Sequence, residues 1–336
     1  MRFLLLISFI LIFGFCSCRR DVPQAENSAV QIPVPDHFPP LVYTFERNPP
    51  TTFGVELGRK LFFDPFLSRD GLVSCSTCHQ RGVGFADPRG QALSEGVFGR
   101  VGNRNTPALA NLIWYPHFNW DGGINHIEIQ PVAPITDSAE MDMDFRELLD
   151  KLQKHPEYPD LFQKAFGSDS IYSQVFLFAL TQFMSTLVSH NAPIDDYYRG
   201  QSSLTTEALA GKQIFDSKCA TCHSGALQTD FSFRVNGLTA FNLADRGRAE
   251  ITNDDKHIGA FRVPSLRNVE VTGPYLHDGS LSTLREVIEA YSSGILNHPN
   301  LDSALPVGGF NFSDLEKRQL RFFLYQLTDF SFINPN

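Results

Sequence analysis

The chain has 336 residues, of which 42% are hydrophobic, and its formal net charge at pH 7 is −9. This composition is typical of a globular protein with a sizeable core, and the length suggests about two domains. Basic residues form no cluster beyond Arg19–Arg20, which argues against nucleic acid as a partner, whereas an acidic surface can attract a basic protein.

The first predicted element is an export signal in residues 1–18. Arg2 precedes an apolar run, Phe3–Phe15, which small residues and cysteines follow. This run is shorter than the ~20 residues that a membrane-spanning helix needs, which favours a cleaved leader over a transmembrane anchor. Ser17 before Cys18 is typical of a bacterial lipoprotein signal. We therefore predict an exported, periplasmic chain with a lipid anchor, and simple secretion is the alternative.

Residues 19–51 are rich in proline and are predicted to form an extended tether. Beyond them, apolar periodicity predicts helices and no run of alternating strands, so the predicted fold class is mainly α. A polar connection, residues 191–203, suggests a domain boundary. The predicted helices are Thr52–Phe63, Asp144–Lys154, Ser170–Ser189, Thr205 or Thr206 to about Phe215, Leu281–Tyr291 and Ser313–Thr328.

All four cysteines beyond the leader belong to a Cys-x-x-Cys-His motif, which occurs twice. The motifs are CSTCH, with Cys75, Cys78 and His79, and CATCH, with Cys219, Cys222 and His223. Two thiols on one turn can form thioethers with the two vinyl groups of a haem, and the adjacent histidine can bind its iron. A redox dithiol, a zinc site or a disulfide are alternatives, but neither the dithiol nor the zinc site requires a histidine after both pairs.

The order of helix, haem motif, loop and closing helix occurs twice along the chain. The sequence therefore predicts two cytochrome-c-like helical domains, each with one covalently bound haem and long irregular loops. The predicted domains are residues 52–200 and residues 201–336.

Several collinear segments resemble the bacterial di-haem cytochrome c peroxidase family, including its MauG-like branch. They are ELGRKLFFDPFLS, NRNTPAL, NWDGGINHIEIQPVAPITDSAEM, CATCH and FRVPSLRNVEVTGPYLHDGSLSTLREV, which together span most of the chain from about residue 52. The resemblance implies a peroxide-reacting haem in the N-terminal domain and an electron-transfer haem in the C-terminal domain.

The same resemblance assigns roles to four residues between the two haem motifs. Trp120 matches the tryptophan between the haems, and Gln130, Pro134 and Glu140 match the glutamine, proline and catalytic glutamate of the peroxide pocket. Without the resemblance, Trp120 is an ordinary core aromatic, Gln130 a loop amide and Glu140 a solvated carboxylate. A single carboxylate above a haem can take a proton from peroxide and return it to the departing oxygen.

The iron ligands implied by the resemblance place the chain in the MauG-like branch. No histidine lies between His79 and His117 to close the first haem, and the alternative is that His117 or His126 folds over it. No methionine follows Met184, and Tyr291 stands fourteen residues after His277, where tyrosine-ligated members carry their ligand. Alternatively, Tyr291 packs from an amphipathic helix.

The family also binds calcium between its domains through an asparagine side chain and two backbone carbonyls. Asn105, Thr272 and Pro274 match these positions, and oxygen ligands suit calcium. Gly123 departs from the family, whose members often carry an arginine at this place.

These observations predict an enzyme that reduces hydrogen peroxide to water with electrons from a small redox protein or another donor. The electrons would pass from the C-terminal haem through Trp120 to the N-terminal haem. A MauG-like enzyme that oxidises side chains of a partner protein and a non-enzymatic di-haem electron carrier are the alternatives.

Overall fold

A computed structural model describes residues 26–239 and 244–334 of the chain. The predicted export signal and Cys18 lie outside these residues. Within the described part, no helix is long and apolar enough to cross a membrane.

The prediction of a mainly α fold is confirmed. The described residues contain two short strands, β1 (Phe233–Arg234) and β2 (Phe261–Arg262), which pair antiparallel with Phe233 opposite Arg262. The α-helices in this part of the chain are α1 (Thr52–Phe63), α2 (Cys75–Cys78), α3 (Val132–Thr136), α4 (Phe145–Gln153), α5 (Tyr158–Phe166), α6 (Ser173–Ser185), α7 (Pro193–Tyr198), α8 (Thr206–Lys218), α9 (Ala249–Thr252), α10 (Leu284–Ser293), α11 (Asp314–Tyr325) and α12 (Phe330–Ile333). Five 3₁₀ helices of the same residues are Pro65–Leu67, Arg81–Val83, Val97–Gly99, Leu112–Trp114 and Asp255–His257.

Each haem motif is preceded by a helix that packs on a later helix, and the two pairs share a glycine at the crossing. Helix α1 packs on α6, and α8 packs on α11. In each pair the helix before the motif carries a glycine at the crossing: a Cβ on Gly58 would lie 1.8 Å from the carbonyl oxygen of Ala179, and one on Gly211 would lie 1.9 Å from that of Gln319. Only glycine therefore allows the two backbones to approach so closely.

We expect Gly58→Ala to destabilise the fold by about 1–3 kcal/mol, because the added methyl group forces α1 and α6 apart. This loss should exceed the roughly 1 kcal/mol that alanine gains over glycine in helix propensity. The measurement is the thermal unfolding midpoint of the haem-loaded protein by circular dichroism. Gly82→Ala is the matched control, because a Cβ there meets no atom within 4 Å. Equal midpoints for the two variants would show that the crossing tolerates a side chain.

Most buried apolar residues in the described part of the chain belong to two clusters. The first cluster is built mainly from residues 38–188, and the final helix α12 returns to it through Phe332 and Ile333. The second cluster surrounds α8, α10 and α11. The domain boundary at residue 200 stays a prediction, since the clusters describe cores and not independently folding units.

Residues 26–51 differ from the predicted tether, because they pack on the first cluster. Phe38 and Tyr43 are each 8% exposed, and buried Asn48 donates a hydrogen bond to the carbonyl oxygen of Phe178 at 3.2 Å. The proline content sets an extended conformation, but the two aromatic side chains anchor the segment to the core. Residues 26–51 are therefore part of the folded unit.

Candidate functional site

The first haem motif places its histidine in a defined orientation. Cys75 and Cys78 form the ends of α2, and His79 follows directly as its C-cap. The Nδ1–H of His79 donates a hydrogen bond to the carbonyl oxygen of Phe85 at 2.8 Å. Since a carbonyl only accepts, the proton resides on Nδ1, and the Nε2 lone pair is available for a metal.

The second motif repeats this arrangement. The Nδ1–H of His223 donates to the carbonyl oxygen of Gln228 at 3.2 Å. Both acceptor residues have left-handed backbones, with φ of 60° at Phe85 and 54° at Gln228. This conformation is uncommon outside glycine, and it aims each carbonyl at the imidazole. Sequence analysis missed both acceptors, because neither phenylalanine nor glutamine signals a positive φ.

The electrostatics of both motifs suit haem attachment. Burial lowers the pKa of His79 to about 4 and also lowers that of His223, so both imidazoles are neutral, as metal ligands must be. Burial raises the pKa of Cys75 to about 12 and that of Cys219 to about 12. A high thiol pKa disfavours the reactive thiolate that a redox dithiol requires.

The surroundings of the cysteines bear on two alternatives to haem attachment, a disulfide and a metal site. In the part of the chain that the structure describes, Cys75, Cys78, Cys219 and Cys222 are all free of disulfides. Residues 26–239 and 244–334 contain no group of three or more histidine, cysteine, aspartate or glutamate side chains that could hold a metal ion. Each pair therefore stands with its own histidine, which is the grouping that a covalently bound haem uses.

A cavity of about 250 Å³ opens beside the second motif. Cys219, Cys222, His223 and Tyr291 all line it, so the predicted attachment and ligand residues share one space. His223 and Tyr291 both border this cavity, and burial in the surrounding protein shifts the pKa of both groups. These properties are typical of side chains that line a deep cavity. The two cysteines, the histidine and the tyrosine fit a haem.

Tyr291 carries a neutral phenol in this setting. Burial raises its pKa above the ordinary range, and the nearby Cys219 sulfur adds to the effect. Its backbone carbonyl accepts a hydrogen bond from the N–H of Phe310 at 3.0 Å, which fixes the end of α10 against the cavity wall. A phenolate at this position therefore requires a nearby cation such as iron.

The same cavity brings together Trp120 and the three predicted calcium ligands, Asn105, Thr272 and Pro274. The indole Nε1–H of Trp120 donates to the carbonyl oxygen of Asn105 at 2.8 Å. The side-chain Nδ2 of buried Asn105 donates to the carbonyl oxygen of Ala92 at 2.9 Å, and its Oδ1 is the atom that a cation would use. Asn105 thus holds the predicted relay tryptophan and belongs to the predicted calcium site.

Hydrogen bonds to neighbouring segments fix the backbone around Glu140. Its carbonyl oxygen accepts the N–H of Val97 at 2.8 Å, and the N–H of Met141 donates to the carbonyl oxygen of Pro134 at 3.1 Å. A Cβ on Gly96 would lie 2.4 Å from the Glu140 carbonyl oxygen, so the two loops touch. The predicted pocket residues Pro134 and Glu140 are therefore on neighbouring, mutually bonded segments.

The carboxyl group of Glu140 has properties suited to proton transfer. Partial loss of hydration among the surrounding protein atoms raises the pKa of the carboxyl to about 7, with a further contribution from the charge of Asp137. The charge of Glu140 in turn raises the pKa of Cys75 and Cys78, so the carboxyl group lies near both attachment residues. An acid-base group with a pKa near 7 can both take and return a proton at neutral pH.

The remaining residues predicted for the first haem site are Gln130 and the two alternative ligands, His117 and His126. The backbone carbonyl of Gln130 accepts the N–H of Ala133 at 3.2 Å, one turn before Pro134, and its side chain is half-exposed. His117, an alternative haem ligand, packs its ring 5.6 Å from that of Phe233. His126, the other alternative, packs 5.7 Å from the ring of Tyr43.

Comparison with known proteins identifies relatives over most of the chain. A family model described as di-haem cytochrome c peroxidase matches residues 52–203. Methylamine utilization protein MauG of Methylorubrum extorquens is 40% identical over 284 residues, which cover 83% of this chain and 79% of the relative. Cytochrome c551 peroxidase of Nitrosomonas europaea is 33% identical over 249 residues, which cover 72% of this chain and 73% of the relative.

Solved structures show the same fold. The crystal structure of a MauG-like protein associated with microbial copper homeostasis superposes with a TM-score of 0.82 and 29% identity, covering 91% of this chain and 98% of that one. The diheme peroxidase BthA from Burkholderia thailandensis gives a TM-score of 0.75 at 21% identity, covering 85% and 88% of the two chains, and supports the fold alone.

Proposed function

Because this chain belongs to the di-haem cytochrome c peroxidase family and is an oxidoreductase with two c-type haems, we propose that it reduces hydrogen peroxide to water with electrons from an external donor. The supporting observation is an asymmetry between its two histidine sites. Tyr291 and His223 line the same cavity, whereas Glu140, a carboxyl group with a pKa of about 7, lies near Cys75 and Cys78. One site is thus suited to electron transfer and the other to proton transfer.

In this proposal Cys75 and Cys78 attach the first haem and His79 binds its iron. Cys219 and Cys222 attach the second, with His223 and Tyr291 as iron ligands. When bound, the haems supply the iron that reacts with peroxide and the redox capacity for two electrons. The carbonyl oxygens of Phe85 and Gln228 hold the two imidazoles in the orientation and tautomer that iron binding requires.

Glu140 is the proposed acid-base residue. Its carboxylate takes a proton from one peroxide oxygen and returns it to the other, which leaves as water. Gln130 would orient the peroxide by hydrogen bonding, and Pro134 would shape the pocket wall. Helix α3 begins between these two residues. The overall reaction consumes one peroxide, two protons and two electrons and yields two waters.

Electrons are proposed to enter at the C-terminal site and to pass through Trp120. The indole shares the cavity of Cys219 and His223, and its N–H is fixed on Asn105. A rigid aromatic side chain in this position keeps the distance between donor and acceptor constant. A small redox protein is the proposed donor, and the formal charge of −9 favours a basic one.

The proposed function is tested by measuring peroxide consumption and donor oxidation together on haem-loaded protein. We expect two one-electron donor molecules to be oxidised for each peroxide removed. Peroxide consumption that requires a partner protein as the source of both electrons, and no redox donor, would contradict the peroxidase proposal. It would favour the second candidate, a MauG-like enzyme that oxidises side chains of a partner protein.

That second candidate is supported by one feature of this chain. Tyr291 lines the cavity of His223, no methionine is among the described residues that line it, and the relative MauG is 40% identical. Tyrosine favours ferric and higher oxidation states, which suits the storage of oxidising equivalents. A partner protein with newly cross-linked or hydroxylated side chains after peroxide treatment would identify this activity.

The cellular place of the protein is also a proposal. The apolar leader and Ser17–Cys18 support export to the periplasm and lipid attachment at Cys18. Mass spectrometry of the mature N-terminus tests this, and a chain that begins without an acylated Cys18 would contradict the anchor.

We further propose that Asn105, Thr272 and Pro274 bind one calcium ion. Asn105→Ala removes the side-chain oxygen and is expected to lower the calcium content from one ion per chain to well below one, measured by metal analysis of dialysed protein. Trp120 is hydrogen-bonded to the backbone of Asn105, so the fluorescence of Trp120 should also change when calcium is removed from the wild-type protein. Full calcium content in Asn105→Ala would contradict the site.

A further inference from the structure

A second cavity, of about 180 Å³, opens to solvent between the N-terminal segment and the loop at residues 125–128. Tyr43, Tyr115, His126 and Glu128 line it, and none of these residues has a role in the function proposed above. Val42, Ile127 and Tyr115 contribute apolar surface to the cavity, while Glu46, Arg47 and Glu128 contribute charged groups.

Tyr43 and Glu128 form a phenol–carboxylate pair in this cavity. The Tyr43 Oη–H donates to Glu128 Oε1 at 2.7 Å, and Tyr43 is only 8% exposed. Its ring is held edge-on by Phe45 at 5.1 Å and His126 at 5.7 Å. Burial and the neighbouring carboxylate raise the pKa of Tyr43, so the phenol stays protonated at neutral pH.

This pairing matters for electron transfer, because a phenol that loses an electron must also lose its proton. A carboxylate within hydrogen-bond distance accepts that proton without movement of either group. Tyr43 therefore has a proton acceptor in place, within a fixed hydrogen bond.

Tyr115 connects this cavity with the one beside the second haem motif, since it lines both. Its ring lies 4.8 Å from the guanidinium carbon of Arg262, which is 5% exposed. The backbone N–H of Arg262 donates to the carbonyl oxygen of Trp120 at 2.8 Å. Tyr115 thus borders both cavities, and Arg262 connects its ring with the backbone of Trp120.

We propose that Tyr43, paired with Glu128, is a second oxidation site at which small phenols or hydroquinones supply electrons. This inference rests on the proposed peroxide reaction, which provides the oxidant. Tyr43 gives one electron through Tyr115 towards the haem sites and its proton to Glu128, which then releases the proton to solvent. A phenol in the cavity then restores Tyr43 by giving up one electron and one proton. Two phenols are converted to phenoxyl radicals for each peroxide reduced to two waters.

The class of donor follows from the cavity walls. A phenol or hydroquinone has a flat apolar ring that can pack on Tyr115 and Ile127, and a hydroxyl group that can bond to Glu128. The cavity volume of about 180 Å³ provides room for a donor of one aromatic ring.

The first test adds peroxide to the haem-loaded protein in the presence of a nitroso spin trap, followed by peptide mapping by mass spectrometry. We expect an adduct on Tyr43 in the wild type and at least tenfold less in Glu128→Gln, which keeps an acceptor oxygen but is no base. Tyr172, at 48% exposure, is the comparison within the same chain, and it should remain unlabelled.

The haem absorption spectrum, recorded in the same samples, separates the possible failures. If peroxide leaves the spectrum unchanged, the proposed function fails and the inference fails with it. If the spectrum changes but Tyr43 carries no adduct, the inference alone is overturned. Labelling of Tyr43 and Tyr172 to the same extent would likewise overturn it, because exposure alone would then govern oxidation.

A second test addresses the donor. In Tyr43→Phe we expect at least a tenfold loss of hydroquinone oxidation, whereas the initial spectral change with peroxide stays at the wild-type rate. Tyr172→Phe is the matched control and should keep both properties. Unchanged hydroquinone oxidation in Tyr43→Phe would show that such donors react elsewhere.

Discussion

Glu140→Gln is expected to slow the reaction of the oxidised, haem-loaded protein with peroxide by about 10²- to 10⁴-fold, the range typical of general acid-base catalysis. Glutamine has the size of glutamate but neither accepts nor returns a proton at neutral pH. The backbone contacts of residue 140 with Val97 do not involve the side chain and should survive. Stopped-flow absorption after mixing with peroxide measures the rate, and haem content per chain shows that the variant is intact.

The pH dependence of the same rate provides a second measurement of Glu140. Its pKa is about 7, and the charged form is the one that takes the proton. The rate should therefore fall as the pH drops through about 7, and it should approach a plateau above that value. Glu140→Gln should lose this dependence.

Asp137→Asn is the matched control for Glu140. The charge of Asp137 raises the pKa of Glu140, so its removal should move the midpoint of the pH profile to lower pH and leave the plateau rate unchanged. The asparagine retains the oxygen that accepts the N–H of Ala139. Wild-type kinetics in a fully haem-loaded Glu140→Gln would remove Glu140 from the mechanism.

Tyr291→Phe is expected to change the second haem site while leaving the protein folded. The proposed phenolate is anionic and stabilises ferric iron, so its loss should raise the reduction potential of this haem and alter its spin state. Burial raises the pKa of Tyr291, which means that only the charge of the iron would keep the phenolate in place. Electron paramagnetic resonance and a redox titration measure the two effects.

Tyr275→Phe is the control for this substitution, because Tyr275 lines the same cavity and donates its hydroxyl to the carbonyl oxygen of Val269 at 2.8 Å. We expect its resonance spectrum to match the wild type. An unchanged spectrum in Tyr291→Phe would contradict tyrosine ligation, and a changed spectrum in Tyr275→Phe alone would move the ligand to Tyr275.

Helices with clear end signals were predictable from the sequence. Helix α1 has the predicted bounds, and α11 begins after Ser313 with the predicted capping box to Glu316. Helix α6 is shorter than predicted, because the apolar pattern continues beyond Ser185 into a loop that is equally buried. Helix α7 lies within the predicted polar connection and was missed, since Pro193 and two aspartates mark a helix start as well as a loop.

Local chemistry was more predictable than the long-range contacts around it. The motifs identify His79 and His223, but the carbonyl oxygens that orient them belong to Phe85 and Gln228, whose left-handed backbones depend on tertiary packing. The glycines at the two helix crossings were likewise visible only once their partners were known. Resemblance to the family supplied Glu140 and Tyr291, and without it composition and spacing assign neither a role.

We propose that one haem site is open to peroxide while the other is closed by Tyr291, so that the oxidised protein needs no prior reduction. The most direct measurement mixes fully oxidised, haem-loaded protein with one equivalent of peroxide and no reductant, and records the absorption spectrum within milliseconds to seconds. We predict a rapid spectral change that Glu140→Gln suppresses. A spectrum that changes only after one electron has been supplied would contradict the claim.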